Sequence, residues 1–541
     1  MTIKRFFADR DTTITNAFRS GLNEDLRGTG SNMGASDVLE TFSIYDQGSR
    51  GKYTDASSGS TELSRILVRF PVSDISASRD SGSIPTSGNV NFFMRMYNAR
   101  HAFTLPRNIK LTILAVSQSW DEGYGLDMEE YSDETRDGEG ANWINALSNS
   151  SGVTTWATKG GSFHTASGHI KYTANFTNGY EDLEVNVTDL MEHWLLGGDN
   201  HNLNGKENNG VGIFFTSSQE AYFSSSTGDT TGSILHNTAG AKRTYYTKKF
   251  FASGSEFFFK RPHVEARWDS STKDDRGNFY SSSSLMGVLD NLNTIYLYNN
   301  VRGQLKDIPN IGKYDPIYVA LYTSASGGDQ FTTASVYNLK GSGSGLQQAV
   351  GNENLITGGW AASGTYSASF ALTTTASTIY DRWYSGSAGT ALGSLTVYHT
   401  GAIDTQQVSA SLINPTPQYA SKITNLKSVY TRNETPKLRL FVREKDWSPN
   451  LYVKATSQVK PKIIEDAYYK VYREIDNLTV VDYGTGSVNL GYTRLSFDIS
   501  GSQFDFDMSL LERGYSYGIK FVYYINGQYH EQPETFKFRV E

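Results

Sequence analysis

The stretch Tyr517-Gly518-Ile519-Lys520-Phe521-Val522-Tyr523-Tyr524-Ile525-Asn526-Gly527-Gln528-Tyr529 decides the fold class. Tyr517, Ile519, Phe521, Tyr523 and Ile525 fall on alternate positions, the two-residue period of a strand with one buried face. Asn526-Gly527 interrupts the run and Tyr529 resumes it. An Asn-Gly pair between alternating runs predicts a tight hairpin, because both turn residues take positive φ there. Phe536, Phe538 and Val540 alternate with Thr535, Lys537 and Arg539 and predict a closing strand.

Working back towards the N-terminus, the same period recurs. Thr294–Tyr298, Pro316–Tyr322, Thr365–Leu372 and Gly393–Tyr398 are strand candidates, and Gly341-Ser342-Gly343-Ser344-Gly345 reads as a loop tip. Residues 271–284 are polar and rich in Ser and Asp, as expected of a linker. Earlier still, Ile66, Val68, Phe70 and Val72 share a face, as do Val90, Phe92, Met94 and Met96. Ile109, Leu111, Ile113 and Ala115 repeat the pattern, and Leu183, Val185 and Val187 follow it. The period then changes: Leu190, Met191, Trp194 and Leu195 have helical spacing, with Asp189 as the expected N-cap and Gly197-Gly198 as the stop. Val211–Phe215 and Lys260–Trp268 return to strand. These patterns predict an all-β chain, with one unit over 1–270 and two immunoglobulin-like sandwiches over 285–417 and 418–541.

Composition agrees with that reading. The 541 residues are 38% hydrophobic and 13% aromatic, which excludes disorder, and 34 Tyr, 28 Phe and 51 Gly suit many short strands joined by turns. The length calls for several domains. A net charge of −7 argues against nucleic acid as a partner, since such proteins usually carry a basic stripe. The absence of Cys excludes disulfides, thiolate metal sites and thiol nucleophiles. No run of 18 apolar residues suggests a membrane span. Met1–Asp11 lacks an apolar core before its charges resume, so no export signal is expected and synthesis in a cytoplasm is.

An ordered set of motifs in the first unit carries a resemblance. Asp11-Thr12-Thr13-Ile14 opens it, and Ser64–Ile75 includes Arg69-Phe70-Pro71-Val72. Val116-Ser117-Gln118-Ser119-Trp120-Asp121-Glu122-Gly123 comes next, then Trp156 before Gly160-Gly161, and Val185–Leu190. Trp194 precedes Asn208-Asn209-Gly210-Val211-Gly212-Ile213, and Arg261-Pro262 opens the last strand. This half of the chain resembles the DNRLRE-type domain, a jelly-roll module similar to certain carbohydrate-binding modules. Gly364–Phe370, Ala467–Arg473 and Phe504–Leu511 are similar in style to virion structural proteins of marine T4-like tailed phages. The resemblance implies a place on a virion, with copies of itself and other virion proteins as partners. Host glycans are the alternative partner, for an adhesin or receptor-binding protein.

Candidate chemistry is sparse. The loop from Asp121 to Glu139 holds nine carboxylates, and Asp121, Glu122, Asp127, Glu129 and Asp133 are the candidate calcium ligands, because calcium takes six to eight hard oxygens. The spacing is not that of an EF-hand, and a solvated acidic run is the competing reading. His164 and His169 are five apart in a Gly/Ser loop, and His193 and His201 flank Gly197-Gly198; neither pair has the His-Glu-x-x-His spacing of a metal motif. Neither a nucleophile elbow nor a phosphate-binding loop occurs. Trp156, Trp194, Trp268, Trp360 and Trp383 occur singly, as core-filling Trp does in sandwiches. The sequence therefore predicts a non-enzymatic, oligomeric binding or structural protein with no resident cofactor beyond that calcium candidate.

Overall fold

The computed structural model describes residues 2–18, 27–46, 60–100, 107–128, 139–197, 207–220, 222–223, 234–236, 243–331, 335–337, 349–350, 353–385, 395–408, 417–445 and 460–541. It is 46% strand and 7% helix, so the all-β class holds. The chain forms two compact units: Thr2–Asp269 with Ser487–Tyr492, and Ser270–Gly486 with Thr493–Glu541.

The first unit is a rolled-up hairpin. Its principal strands are β1 (Ile3–Phe7), β2 (Arg10–Thr15), β3 (Val38–Asp46), β4 (Ser60–Arg69), β5 (Asn91–Met96) and β6 (Ile109–Ala115). They continue with β7 (Asn145–Asn149), β8 (Gly152–Thr155), β9 (Lys171–Phe176), β10 (Leu183–Asn186), β11 (Val211–Phe215), β12 (Arg243–Phe251) and β13 (His263–Arg267). Pairings nest outward from β6–β9 through β5–β10 and β4–β11 to β1–β13. These four pairs fall alternately into a sheet β1-β13-β5-β10 and a sheet β12-β3-β4-β11-β6-β9, where the further nested pair β3–β12 extends the second sheet and β2 also pairs with β4. That nesting is the jelly-roll topology. The inward positions are those the alternation names: Ile66, Val68, Phe92, Met94, Met96, Leu111, Ile113 and Ile213 form one core. Each such side chain contributes about 1.5–3 kcal/mol by leaving water.

Two helices depart from expectation. Val72 does not extend β4; Pro71 lacks the amide that would continue a ladder and stands before α1 (Val72–Asp80), which carries Asp74 in its first turn and Arg79 in its last. The second helix, α2 (Thr188–Leu196), begins a residue before Asp189, because Asn186 Oδ1 takes the Thr188 amide at 3.0 Å. Gly197, at φ 69°, ends it as expected, while Gly198 lies outside the described residues. Arg79 and Glu192 clip the helices together through two hydrogen bonds of 2.8 and 2.6 Å.

The second unit holds two sheet systems. One comprises β14 (Phe279–Ser281), β15 (Asn293–Tyr298), β16 (Ile317–Tyr322), β17 (Ile356–Ala362), β18 (Thr365–Leu372), β19 (Thr378–Ser385) and β20 (Thr396–Gln407), in the order β14-β20-β19-β16-β17-β18-β15. It surrounds a core of Ile295, Val319, Tyr366, Phe370, Ile379 and Trp383. β20 begins later and runs longer than the expected Gly393–Tyr398. The loop tip Gly341–Gly345 lies outside the described residues.

The linker expected at 271–284 is instead part of this fold. Asp274 caps a 3₁₀ turn over Asp275–Gly277, Phe279 is fully buried, and β14 pairs in parallel with Thr405–Gln407. Its polar residues serve the strands beside them. Asn291 and Asn293 donate to the Tyr280 carbonyl, Asp275 Oδ2 accepts the Thr294 amide at 2.6 Å, and Asp274 accepts that of Tyr296. Segment 274–281 is thus a seam between β20 and β15.

The other system is a sandwich. One sheet contains β21 (Tyr419–Ile423), β22 (Lys437–Glu444), β24 (Ser496–Asp498) and β25 (Gly501–Asp505); the other contains β23 (Ala467–Arg473), β26 (Ser516–Ile525), β27 (Gln528–Glu531) and β28 (Phe536–Val540). Phe504 of the first sheet stacks on Tyr469 at 4.5 Å and meets Phe521 edge-on, both from the second. Asn526 and Gly527 take φ of 51° and 79°, giving the hairpin that the sequence predicts. Tyr517 donates its hydroxyl to the Glu512 carbonyl at 2.9 Å, a corner contact typical of immunoglobulin-like sandwiches.

Candidate functional site

The outer face of the sheet β4-β11-β6-β9 is the most elaborated surface of the first unit. The long β6–β9 connection folds back over it, and Trp120, Trp143 and Trp156 pack with Ile14, Leu63, Leu67 and Val116 into a second core. Trp120 and Trp156 donate their indole N–H groups to the Asn209 and Asn142 carbonyls. The tryptophans are separate in sequence, so this cluster was not visible from spacing. Gly212 is required here because a Cβ would lie 2.0 Å from the Phe163 ring.

Arg65 organises the border of that cover. Its guanidinium lies over the rings of Trp143, Phe163 and Phe214, donates to the Gly160 carbonyl, and makes a bidentate pair with Glu220 at 2.9 Å each. Beside it opens a pocket of about 230 Å³. Strands supply its floor: Thr112 and Leu114 from β6, Lys171 from β9, and Phe214 from β11. Loops supply its walls, with Thr165, His164 and His169 on one side and Ser217 and Glu220 on the other.

The two histidines meet edge to face at 5.1 Å. Burial, and then the neighbouring His169, hold the His164 imidazole below its ordinary pKa. His169 Nδ1 is buried without a hydrogen-bond partner among the described residues. Such an atom costs about 1–3 kcal/mol when left unpaired. The sequence drew attention to both histidines but not to Lys171, Phe214, Ser217 or Glu220. Alternation places Lys171 and Phe214 on the outer face of their strands; no local pattern announces the loops that join them.

The acidic loop has another use. Asp121 approaches Arg10 at 3.5 Å, while Glu122 Oε1 accepts the Asp11 amide at 2.8 Å. Burial, opposed by that hydrogen bond, pushes Glu122 up to about 7. Asp11, pushed up to about 6 by burial, accepts from the amide and hydroxyl of Ser253. The structure therefore does not gather Asp121, Glu122 and Asp127 into a calcium site. Glu122 and Asp121 tie the loop to β2, and no group of three His, Asp or Glu residues is placed to hold a metal among the described residues. Glu129 and Asp133, like His201, lie outside the described residues.

A buried charge network occupies the opposite sheet. Glu265 of β13 meets Arg5, Arg95 and Arg267 at 2.8, 3.4 and 2.6 Å. Burial raises its pKa, but the three guanidiniums outweigh burial and hold the carboxyl well below its usual range. Tyr492 lies under Arg267 at 5.0 Å, and the Val488 carbonyl accepts from Asn91 at 2.7 Å, which is how 487–492 joins this unit. These charges satisfy one another and hold the fold together. None lines the pocket. Among the described residues, no helix is long and apolar enough to cross a membrane.

No family model matches the chain, and no curated protein does. Among solved structures, it is similar to a marsupial T cell receptor at 9% identity, over 46% of this chain and 68% of that one, with a TM-score of 0.13. A DIP-gamma IG1+IG2 structure matches at 12% identity over 46% and 87%, with a TM-score of 0.11. The alpha-2-macroglobulin of E. coli matches at 8% identity and a TM-score of 0.15; this chain spans 34% of its length.

Proposed function

We propose that this chain is a non-catalytic assembly component of a tailed-phage particle, as a head decoration, a neck or collar part, or a tail or fibre attachment. The observation that carries the reading is the end of β20. Thr396–Thr400 pairs with β19 on one edge, has no strand on its other edge among the described residues, and is exposed on both faces. The run carries no Asp, Glu, Lys or Arg and presents Val397 and Tyr398 to solvent. An uncharged open edge is a template for another chain, and proteins that work alone usually blunt one with Lys, Pro or a covering segment. The same unit also exposes Tyr314, Ile475 and Leu285, the apolar and aromatic kind of side chain found at interfaces.

The motif resemblances of 364–370, 467–473 and 504–511 support the virion setting, and the jelly roll supports a binding or capping role. Copies of the chain and other virion proteins are the partners under this reading. Light scattering of the full chain across micromolar concentrations tests it. Concentration-dependent oligomers, lost on placing Lys at Val397 and Tyr398, support assembly at this edge. A strictly monomeric chain that does not co-sediment with phage particles overturns it.

A further inference from the structure

We propose that the pocket beside Arg65 binds a small oxyanion, a carboxylate or a sulfate- or phosphate-type group, through Lys171, His164 and His169. This goes beyond the assembly reading and does not depend on it.

The argument is an inventory of what the pocket offers. Its one acceptor-only side chain, Glu220, is engaged through both oxygens by Arg65. Lys171 stands at the start of β9, its ammonium without a hydrogen bond or ion pair among the described residues, and an ammonium offers three donors and no acceptor. His169 brings a buried ring nitrogen that lacks a partner, and imidazole becomes donor-only once protonated. Thr112, Thr165 and Ser217 add hydroxyls. With Glu220 neutralised, the remaining formal charge of the lining is that of Lys171, and donors outnumber acceptors. A ligand rich in acceptors and bearing negative charge matches this lining, because charge-assisted hydrogen bonds are the strong ones. The volume of about 230 Å³ limits that ligand to a small group or one ring.

The same geometry gives a pH sense. Charged and titratable groups facing His164 are His169 on its own loop, Lys171 on β9, the Arg65–Glu220 pair, His193 on α2 and Glu207. Burial and the neighbouring His169 disfavour the protonated form of His164, and a bound anion favours it. Binding therefore strengthens as the pH falls into the range, below that of a free imidazole, where His164 takes up its proton.

Titrating sulfate and acetate separately into the full chain carrying ¹⁵N-labelled histidine tests this. Two of the nine histidine signals, assigned by His164→Gln and His169→Gln, are expected to shift saturably. Lys171→Ala should weaken that binding roughly tenfold, the loss of one charge-assisted contact. Lys171→Arg, which keeps the charge, should retain it. Tighter sulfate identifies a sulfate- or phosphate-type ligand, and tighter acetate a carboxylate. Linear shifts of all nine signals, or undiminished binding in Lys171→Ala with its β-sheet circular dichroism intact, would overturn the proposal.

Discussion

β15 and β20 lie on either side of the same seam, yet their edges are treated in opposite ways. Along β15 the amides of Thr294 and Tyr296, which would otherwise face outward unpaired, end on the carboxylates of Asp275 and Asp274. Along β20, segment 279–281 pairs with Thr405–Gln407, and Arg276 comes close to Gly401, but Thr396–Thr400 is left bare. One edge is sealed with buried carboxylates at an electrostatic cost. The other is left unsealed although a single lysine would have blunted it. The contrast separates what holds this unit shut from what it leaves available to a neighbour.

The largest effect is expected from the anchor of the seam. Arg276 makes two bonds of 2.7 Å to Asp381, which is fully buried and also takes the Trp383 indole N–H. Arg276→Ala leaves that carboxylate buried with no cation, a change that costs about 3–5 kcal/mol. Urea unfolding should show a lower midpoint with an unchanged slope, the midpoint shift multiplied by the slope giving a loss of that size. A loss below about 1 kcal/mol, the scale of an exposed pair, would mean the seam does not hold the sheet.

Asp275→Ala comes next. It strands the Thr294 amide, for about 1–3 kcal/mol, whereas Asp275→Asn keeps an acceptor and should lose little at pH 5. The comparison with Asn also carries a pH signature. Burial pushes Asp275 up from 3.8 to about 7, with the Thr294 hydrogen bond opposing, and Asp274 to about 6. A carboxyl raised in the folded state binds its proton more tightly there than when unfolded. Its stabilising contribution is present at low pH and is lost as pH rises from about 4 to about 7. His263 and His399, held low by burial, act in the opposite direction over part of this window, so the difference between two proteins is the informative quantity. Asp275→Asn should gain on the natural chain by on the order of 1–2 kcal/mol between pH 5 and pH 8, after allowance for partial solvent screening. A difference independent of pH would place the ionisation of Asp275 outside this range.

How legible this was in the sequence depends on the range of the interactions. Period-two alternation located the strands around Phe92, Leu111, Ile213, Phe370 and Phe521, because a strand's own neighbours decide which face is apolar. Asn526-Gly527 fixed a turn outright. The seam was misread because Ser, Asp and Asn look alike whether they face water or cap an edge twenty residues away; Asp275 and Thr294 are the example. The pocket was half legible. His164 and His169 drew notice for their spacing, but their companions Lys171, Phe214 and Glu220 arrive from different strands and loops, and only pairing registers such as Leu114–Lys171 bring them together. The contact of Glu122 was hidden for the same reason, since its partner Asp11 is 111 residues away.

The smallest effect on stability belongs to the bare edge, and it is the most informative about function. Val397 and Tyr398 are exposed, and the Tyr398 hydroxyl accepts from that of Ser385 at 3.3 Å. Replacing both with Lys should change unfolding free energy by no more than about 0.5 kcal/mol, as expected of surface positions. In the same protein, edge lysines would set like charges against each other where two copies pair across this edge, and would put charge at the pairing surface of any other strand. An interface built elsewhere would ignore the change. A variant as stable as its parent but unable to oligomerise or to join phage particles would assign assembly to Thr396–Thr400. A variant that assembles normally would mean that β20 is bare only because nothing needs to pair with it.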